Sequence, residues 1–427
     1  MLSILQHNEI LKSTIQNPKS KINTMGSWFA VIFFAFFTFQ PALPGATQDL
    51  SCLHRTRPSD ALLITAPDGS ILYKQNEAIK CIPASTLKII TALSAIHHLG
   101  PSYRFPTEFY ADIDQNLKIK GYGDPLLTSE VWQQIADVLA SKIRKFNTLI
   151  LDNSYFSKDL IIPGTGRSTN PYDAPPGALC ANFNTISFDH DQHDRVIPAE
   201  PQTPMTPFAR EKIRSLGMKK GRYTFTHDPS DATRYAGELF LHFLTKEGVE
   251  SQGKIRLGTV KSDDRLCHTY LSGFTLNDVI TKMMAFSNNF VANQICIAMG
   301  AHVYGPPGTL EKGVRVLSDY AKCRMHLKDI SVVEGSGISR KNRISALEMN
   351  TLLDQFKPHR QLLKREGDTF FKTGTLEGIR TRVGYIEKSP GSTYSFVVFL
   401  NSGNSDMDSL MGCIERTVTN HHFPDNR

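Results

Sequence analysis

Apolar residues recur along this chain in two rhythms, and the rhythm changes in blocks. "ALLITAPDGSILYKQN" (61–76) is two short apolar runs around a Pro-Asp-Gly turn, which predicts a β-hairpin. "IPASTLKIITALSAIHHLG" (82–100) follows, with Ser85, Lys88, Thr91, Ser94 and His98 at three- to four-residue steps in an apolar background. That spacing predicts an amphipathic helix with one polar stripe, opened by Pro83 and with Ser85 near its positive end. From about 106 to 265 the text shifts to short strands ("TLILDNSYF", "GRYTFTH"), frequent Gly, Pro and Asp turns, and one helical stretch, "DATRYAGELFLHFLTKEG". Helical spacing returns at 275 in "TLNDVITKMMAFSNNFVANQICIAMGAH", broken by a polar Ser-Asn-Asn, and continues at 309–325 and 345–356. The chain closes with strands across "FFKTGTLEGIRTRVGYIEKSPGSTYSFVVFLNS" and a helix in "SDMDSLMGCIERTVTNHH". No internal repeat interrupts this order.

Strands at both ends of the chain around helical middle segments predict an α/β domain of the α+β type: an antiparallel sheet flanked by helices. The expected division is 47–105 with 266–427 as one domain, and 106–265 as a strand-rich inserted module.

The ends and the composition refine this picture. Residues 1–25 carry Lys12, Lys19 and Lys21 against Glu9, and "WFAVIFFAFF" then runs apolar from Trp28 to Phe37. The run is short for a bilayer span and matches the apolar core of a secretory signal, so 1–46 is expected to be a signal peptide. Met25 is an alternative start, and an uncleaved anchor is the rival reading. Either places the remainder outside the cytoplasm, with the periplasm as the expected compartment and peripheral membrane association compatible with it. Removing 1–46 takes away three lysines and one glutamate, so the formal charge falls from +7 to +5. That mildly basic balance, with no dense Lys/Arg cluster, gives no case for nucleic-acid binding. Seven cysteines (52, 81, 180, 267, 296, 323, 413) show no Cys-x-x-Cys or zinc-like spacing, so no metal is expected, and the odd count leaves at least one thiol free. Cys296, in the apolar "VANQICIAM", is expected to be a packed thiol.

Candidate chemistry begins on the first helix. Ser85 and Lys88 stand at i and i+3, so their side chains share a face, and a desolvated lysine can take the proton of a serine hydroxyl. The polar stripe of an ordinary helix explains the same two residues, and Ser-x-x-Lys occurs again at Ser251–Lys254, in what reads as a turn and short strand. The remaining pieces lie far away in sequence. Lys372-Thr373-Gly374 is the one Lys-Thr-Gly of the chain, on a strand. Ser287-Asn288-Asn289 is one of three Ser-x-Asn matches, the others (Ser168–Asn170, Ser402–Asn404) falling in loops. The order of the three motifs, each in its own structural context, points to acyl transfer.

With these residues in place, the sequence resembles the penicillin-recognising serine peptidases. More specifically it resembles the D-alanyl-D-alanine carboxypeptidase/endopeptidase family of the penicillin-binding protein 4 type, peptidase family S13. "PASTLKIITALSA", "GYGDPLL", "DNSYF", "YDAPPGAL", "FSNNFVAN", "EGSGISRKNRISA" and "FKTGTLEG" resemble that family's text in its order, over roughly 55–415. The resemblance implies a large insertion between the serine helix and the Ser-x-Asn turn. It also implies roles: Ser85 as nucleophile, Lys88 as its base, and Ser287 as the relay to the departing amine. Lys372 and Thr373 would hold the terminal carboxylate, with Lys372 keeping Lys88 neutral; Asn289 would bind the substrate amide. The backbone N–H groups of Ser85 and Thr375 would form an oxyanion hole, with Gly374 clearing the strand edge. Ser336 and Arg340 would border the cleft. Peptidoglycan stem peptides and β-lactams are the implied partners, without metal or organic cofactor.

The chain also departs from the family. Where relatives place an acid before "APP" to read a diaminopimelate amino group, this chain has Arg167, followed by Tyr172, and Glu377 is the candidate replacement charge. Ser345 and Thr91 are expected to be caps or packing. Thr91, Ser94 and His98 are expected to be helix surface, and His97-His98 and His421-His422 to be surface or helix-end residues. A serine β-lactamase shares the motif triplet but lacks the long insertion and the "YDAPPGAL" and "EGSGISR" text. A non-enzymatic wall-binding protein would be expected to lose Ser85, Lys88, Ser287 or Lys372, and all four are present.

Overall fold

The computed structural model describes residues 53, 57–403 and 406–420. The expected signal peptide, Cys52, Asn404 and His421-His422 lie outside the described residues.

In chain order, β1 (Ala61–Thr65) and β2 (Ile71–Gln75) form the first hairpin, and a 3₁₀ turn (Ala84–Leu87) leads into α1 (Lys88–Leu99). The middle of the chain supplies β3 (Pro106–Ala111), β4 (Leu117–Gly121), α2 (Ser129–Ala140), β5 (Thr148–Asp152), β6 (Ile186–His190) and β7 (Val196–Pro198). It continues with α3 (Pro207–Leu216), β8 (Gly221–Tyr223), α4 (Pro229–Lys246), β9 (Lys254–Leu257) and β10 (Arg265–Leu271). Next come α5 (Leu276–Phe286), α6 (Asn289–Tyr304), α7 (Leu310–Asp319) and α8 (Ala346–Phe356). The chain ends in β11 (Lys364–Glu366), β12 (Thr369–Leu376), β13 (Ile379–Ser389), β14 (Ser392–Leu400) and α9 (Met407–Asn420).

The two ends of the chain meet in one six-stranded antiparallel sheet, β11-β12-β13-β14-β1-β2. β1 sits inside it, paired to β14 on one side and β2 on the other, which explains its uninterrupted apolar run: both of its faces are covered. Ala61 and Leu63 join the core with α1, α5, α6 and α8, while Leu62 and Ile64 join a second cluster with Met407, Leu410, Met411, Ile414 and Val418 of α9. The expected helix-flanked antiparallel sheet is therefore present.

The middle of the chain builds two further sheets, β10-β3-β4-β5-β9 and β7-β6-β8. β10 pairs with β3, so the first of these sheets runs past the 265 boundary drawn from composition, to Leu271. This region is also more helical than its turn-rich text predicts, because α2 and α3 were missed. α2 buries Val131, Trp132, Ile135 and Leu139 on one face, a helical period hidden between short polar steps. "VESQGKIRLG" is a turn followed by β9, as expected, so Ser251 and Lys254 do not share a helix.

Candidate active site

The 3₁₀ turn that carries Ser85 is clamped against the sheet. Thr381 Oγ1 on β13 donates to the Pro83 carbonyl at 2.8 Å. Ala84 is held at φ 48°, a left-handed conformation unusual for a residue with a Cβ. Two glycines permit this approach. A Cβ at Gly374 would lie 2.7 Å from Ser85 N, and one at Gly337, itself at φ 86°, would lie 1.8 Å from the Ala84 carbonyl oxygen. The helix was expected to start before Ser85; instead the tight turn presents Ser85 and α1 begins at Lys88.

Lys88 is fully buried. Its Nζ lies 2.9 Å from Ser85 Oγ, 2.8 Å from Asn289 Oδ1 and 2.7 Å from the Ser336 carbonyl oxygen. Burial holds its pKa well below that of a free lysine, Lys372 lowers it further by like charge, and Glu334 pulls the other way. A neutral amine has two N–H donors, which suit Asn289 and Ser336, and one lone pair, which is then left for the Ser85 hydroxyl proton.

Ser287 ends α5 in the left-handed conformation, at φ 51°, and Asn288 caps α6 by accepting from Val291 N at 3.1 Å. The predicted Ser-Asn-Asn break is this cap-to-cap turn. It brings Ser287 Oγ to 2.8 Å from Lys372 Nζ, and Lys372 also donates to the Thr373 carbonyl at 2.7 Å. Burial lowers the Lys372 pKa to about 8. β11 pairs with β12 only as far as Phe371, so among the described residues Lys372–Leu376 has a strand neighbour on the β13 side alone. Thr373 and Thr375 are exposed along this open edge, Gly374 buried between them.

Two sequence expectations change, and one buried residue of the site was absent from them. Ser336 does not offer its side chain to a cleft: it is wholly buried, its Oγ donates to Glu334 at 2.6 Å, and it meets the site through its carbonyl. Ser94 is buried rather than surface, and Thr91 is buried packing, one of its two expected roles, because α1 runs through the core between α5, α6 and α8; Thr91 Oγ1 donates to the Gly335 carbonyl at 2.6 Å. Glu334 was missed, although it opens the "EGSGISR" segment; an acid one residue before a Gly-Ser-Gly turn is the signal that could have found it. Arg340 is exposed and donates to the Glu377 carbonyl, which ties the 335–342 loop to the end of β12. Glu377 itself is exposed.

The other motif copies are structural. Ser168 Oγ donates to Asp173 Oδ2 at 2.5 Å and accepts from Asn170 Nδ2 at 3.0 Å, while Ser402 Oγ donates to Asp60. Arg167 and Tyr172 are exposed on the same loop system. A Cβ at Gly164 would strike Ser339, so this loop packs on the segment after Ser336. Ser345 is the N-cap of α8, as expected. Cys81, Cys180, Cys267, Cys296 and Cys323 are free thiols, Cys296 fully buried.

A buried lysine against a serine hydroxyl, a serine-lysine pair facing it, and an open strand edge beside both define a serine-lysine acyl-transfer site on an antiparallel sheet. The chain matches the D-Ala-D-Ala carboxypeptidase 3 (S13) family over residues 59–366 and belongs to it. Among curated relatives, the D-alanyl-D-alanine carboxypeptidase DacB of Haemophilus influenzae is 24% identical over 465 residues, covering 91% of this chain and 95% of that protein. A D-alanyl-D-alanine carboxypeptidase of Actinomadura sp. is 24% identical, covering 86% of this chain and 79% of that protein. The crystal structure of penicillin-binding protein 4 from Haemophilus influenzae superposes with TM-score 0.70 at 20% identity, over 87% of this chain and 98% of that one.

Proposed function

We propose that the protein is a serine-type D-alanyl-D-alanine carboxypeptidase and DD-endopeptidase acting on peptidoglycan stem peptides. Family membership supports the activity, and the observation that carries the residue assignment is the fully buried Lys88 amine, 2.9 Å from Ser85 Oγ. Ser85 Oγ attacks the carbonyl carbon of the penultimate D-alanine while Lys88 accepts its proton. The backbone N–H groups of Ser85 and Thr375 receive the developing oxyanion, a contribution of about 3 kcal/mol per donor in comparable sites. The C–N bond then breaks as Ser287 gives its hydroxyl proton to the departing amine and recovers one from Lys88, which returns to the neutral amine. Water attacks the resulting ester, returns the proton to Ser85, and releases the shortened peptide. Lys372 and Thr373 hold the substrate's terminal carboxylate, and Asn289 its amide through Nδ2, since Oδ1 faces Lys88. Both activities cleave on the carbonyl side of the same D-alanine and differ in the size of the leaving amine.

In this reading the catalytic domain is 47–105 with 272–427, since β10 belongs to the sheet of the inserted module between them, and the enzyme works in the periplasm after export. No helix among the described residues is long and apolar enough to cross a membrane. Incubation with a fluorescent penicillin tests the assignment. A long-lived adduct that disappears in Ser85→Ala is expected; rapid turnover would indicate a β-lactamase, and no adduct a wall-binding protein.

Stem-peptide specificity rests on Glu377, exposed at the end of β12 with its carbonyl tied to Arg340. It supplies the negative charge toward a diaminopimelate amino group that Arg167 does not. Glu377→Gln is expected to raise KM for a diaminopimelate muropeptide several-fold; unchanged hydrolysis would sink the assignment.

A further inference from the structure

Glu334 takes no part in the steps above, yet it is wholly buried beside them. Its carboxylate accepts from Ser336 N (2.7 Å), Ser336 Oγ (2.6 Å), Gly337 N (2.7 Å), Ser339 N (3.4 Å) and Asn342 Nδ2 (2.7 Å). Donors at this density are what allow an ionised carboxylate to exist away from water. They also wind the 335–342 loop around one fixed point.

That loop touches three elements of the site: the Ser85 turn, α1 and α6. Its Ser336 carbonyl accepts from Lys88 Nζ, and its Gly335 carbonyl accepts from Thr91 one turn further along α1. Gly335 N donates to Asn293 Oδ1 at 2.8 Å, on the helix that begins with Asn289. Gly337 abuts Ala84, the residue before the nucleophile. A shift of the loop would therefore displace the base, its acceptor and the nucleophile turn together.

We propose that Glu334 is a positioning residue for acyl transfer: it fixes the Ser336 carbonyl on the Lys88 amine, and its carboxylate acts on that base against Lys372. This rests on the reading that Lys88 deprotonates Ser85. The charged and titratable groups facing the pair are few. Lys372 comes from β12, Glu334 from the loop, and Cys296 from α6, the last held as a thiol by burial and by Glu334. Asn289, Asn293 and Asn342 are neutral. Burial and Lys372 both drive Lys88 toward the neutral amine, and an amine driven too far becomes a weak base. Glu334 is the group that opposes them.

The test is the pH profile of penicillin acylation for wild type, Glu334→Gln and Glu334→Asp, with thermal unfolding as the fold control. Glu334→Gln removes the charge at constant size. Its plateau rate is expected to fall roughly 10- to 100-fold, from lost positioning, and its acid limb to move about one pH unit lower, because Lys88 loses the charge that favours its protonated form. A residue that merely held the fold would lower the rate at every pH with the limb in place, and that result overturns the inference. If Glu334→Gln does not fold, Glu334→Asp decides. It keeps the charge but draws it back from Lys88 by one methylene, so the rate is expected to fall about tenfold with the acid limb displaced in the same direction by less than in Glu334→Gln; a lower rate with the limb in place overturns the inference. Acylation at the wild-type rate overturns the proposal. A wild type that forms no Ser85 adduct overturns the acyl-transfer reading itself, and this inference with it; an adduct with superimposable limbs in wild type and Glu334→Gln overturns this inference alone.

Discussion

The first helix of the site and the inserted module each bury a lysine, and they accommodate it in opposite ways. In the module, Lys118 on β4 lies 2.8 Å from Asp264 and 3.6 Å from Asp112, with its side chain and that of Asp264 almost fully enclosed. In the active site, Lys88 meets a hydroxyl, an amide oxygen and a peptide carbonyl at hydrogen-bond distance, while its nearest like charge, Lys372, pushes against it. A buried ammonium without a counter-charge is costly, so such a group gives up its proton. The paired lysine is thus structural, and the unpaired one has the neutral amine that the proposed base requires. Glu334 lies between these extremes, near enough to temper Lys88 and bonded to loop donors instead of to the amine.

Replacing both lysines with the isosteric methionine is the most direct way to break this contrast. Lys88→Met is expected to lower penicillin acylation roughly 1,000-fold, within the range for losing a general base, and to cost about 1 kcal/mol of stability for the Ser336 carbonyl left without its donor. Lys118→Met is expected to leave acylation unchanged and to cost about 3 kcal/mol, because Asp264 and Asp112 then lose their shared cation. Denaturant melts and adduct formation, measured side by side, distinguish the two; equal stability losses would refute the comparison.

Gly337→Ala probes the geometry that keeps Lys88 beside its nucleophile. The new methyl would collide with the Ala84 carbonyl at a left-handed backbone position, so the Ser85 turn must move. Acylation is expected to fall about 100-fold with a stability loss of about 2 kcal/mol; an active, stable variant would show that the close approach is unnecessary.

The smallest expected effect sharpens the role of the second site lysine. Burial brings Lys372 to about 8, so it is a cation below that pH and neutral above it. KM for a carboxylate-bearing peptide should therefore climb above pH 8, up to about tenfold per unit. Stability should move the other way. Between about 8 and the free-lysine value the unfolded chain holds a proton that the folded chain has released, so unfolding free energy rises with pH. A KM that stays flat through this window would mean that Lys372 does not bind the carboxylate.

The strand and helix order of the catalytic domain was readable because each element carries its own period: alternating or continuous runs in β1 and β12–β14, helical spacing in α1, α5, α6 and α8. The helices of the inserted module were harder, since α2 and α3 are short and rich in polar residues, and their apolar face is defined by what packs against it. The stripe on α1 misled for the same reason. Ser85, Lys88, Thr91 and Ser94 are polar in sequence, and nothing local tells a helix surface from a buried face. Thr91 is buried because Gly335, far along the chain, supplies its acceptor. Ser336 was assigned to the cleft by its position in a motif, but Glu334 turns its hydroxyl inward.

The sequence by itself determined which chemistry was available: a Ser-x-x-Lys helix start, a Ser-x-Asn break between helices, a Lys-Thr-Gly strand, and the family text around them. These are local patterns, written in residues a few positions apart. Only the tertiary structure decided which of those groups meet, and in what surroundings. Nucleophilicity depends on whether a lysine is dry, what faces it and where a carbonyl lies, and those conditions are set by β12, α6 and the Glu334 loop converging on Lys88 from three distant parts of the chain.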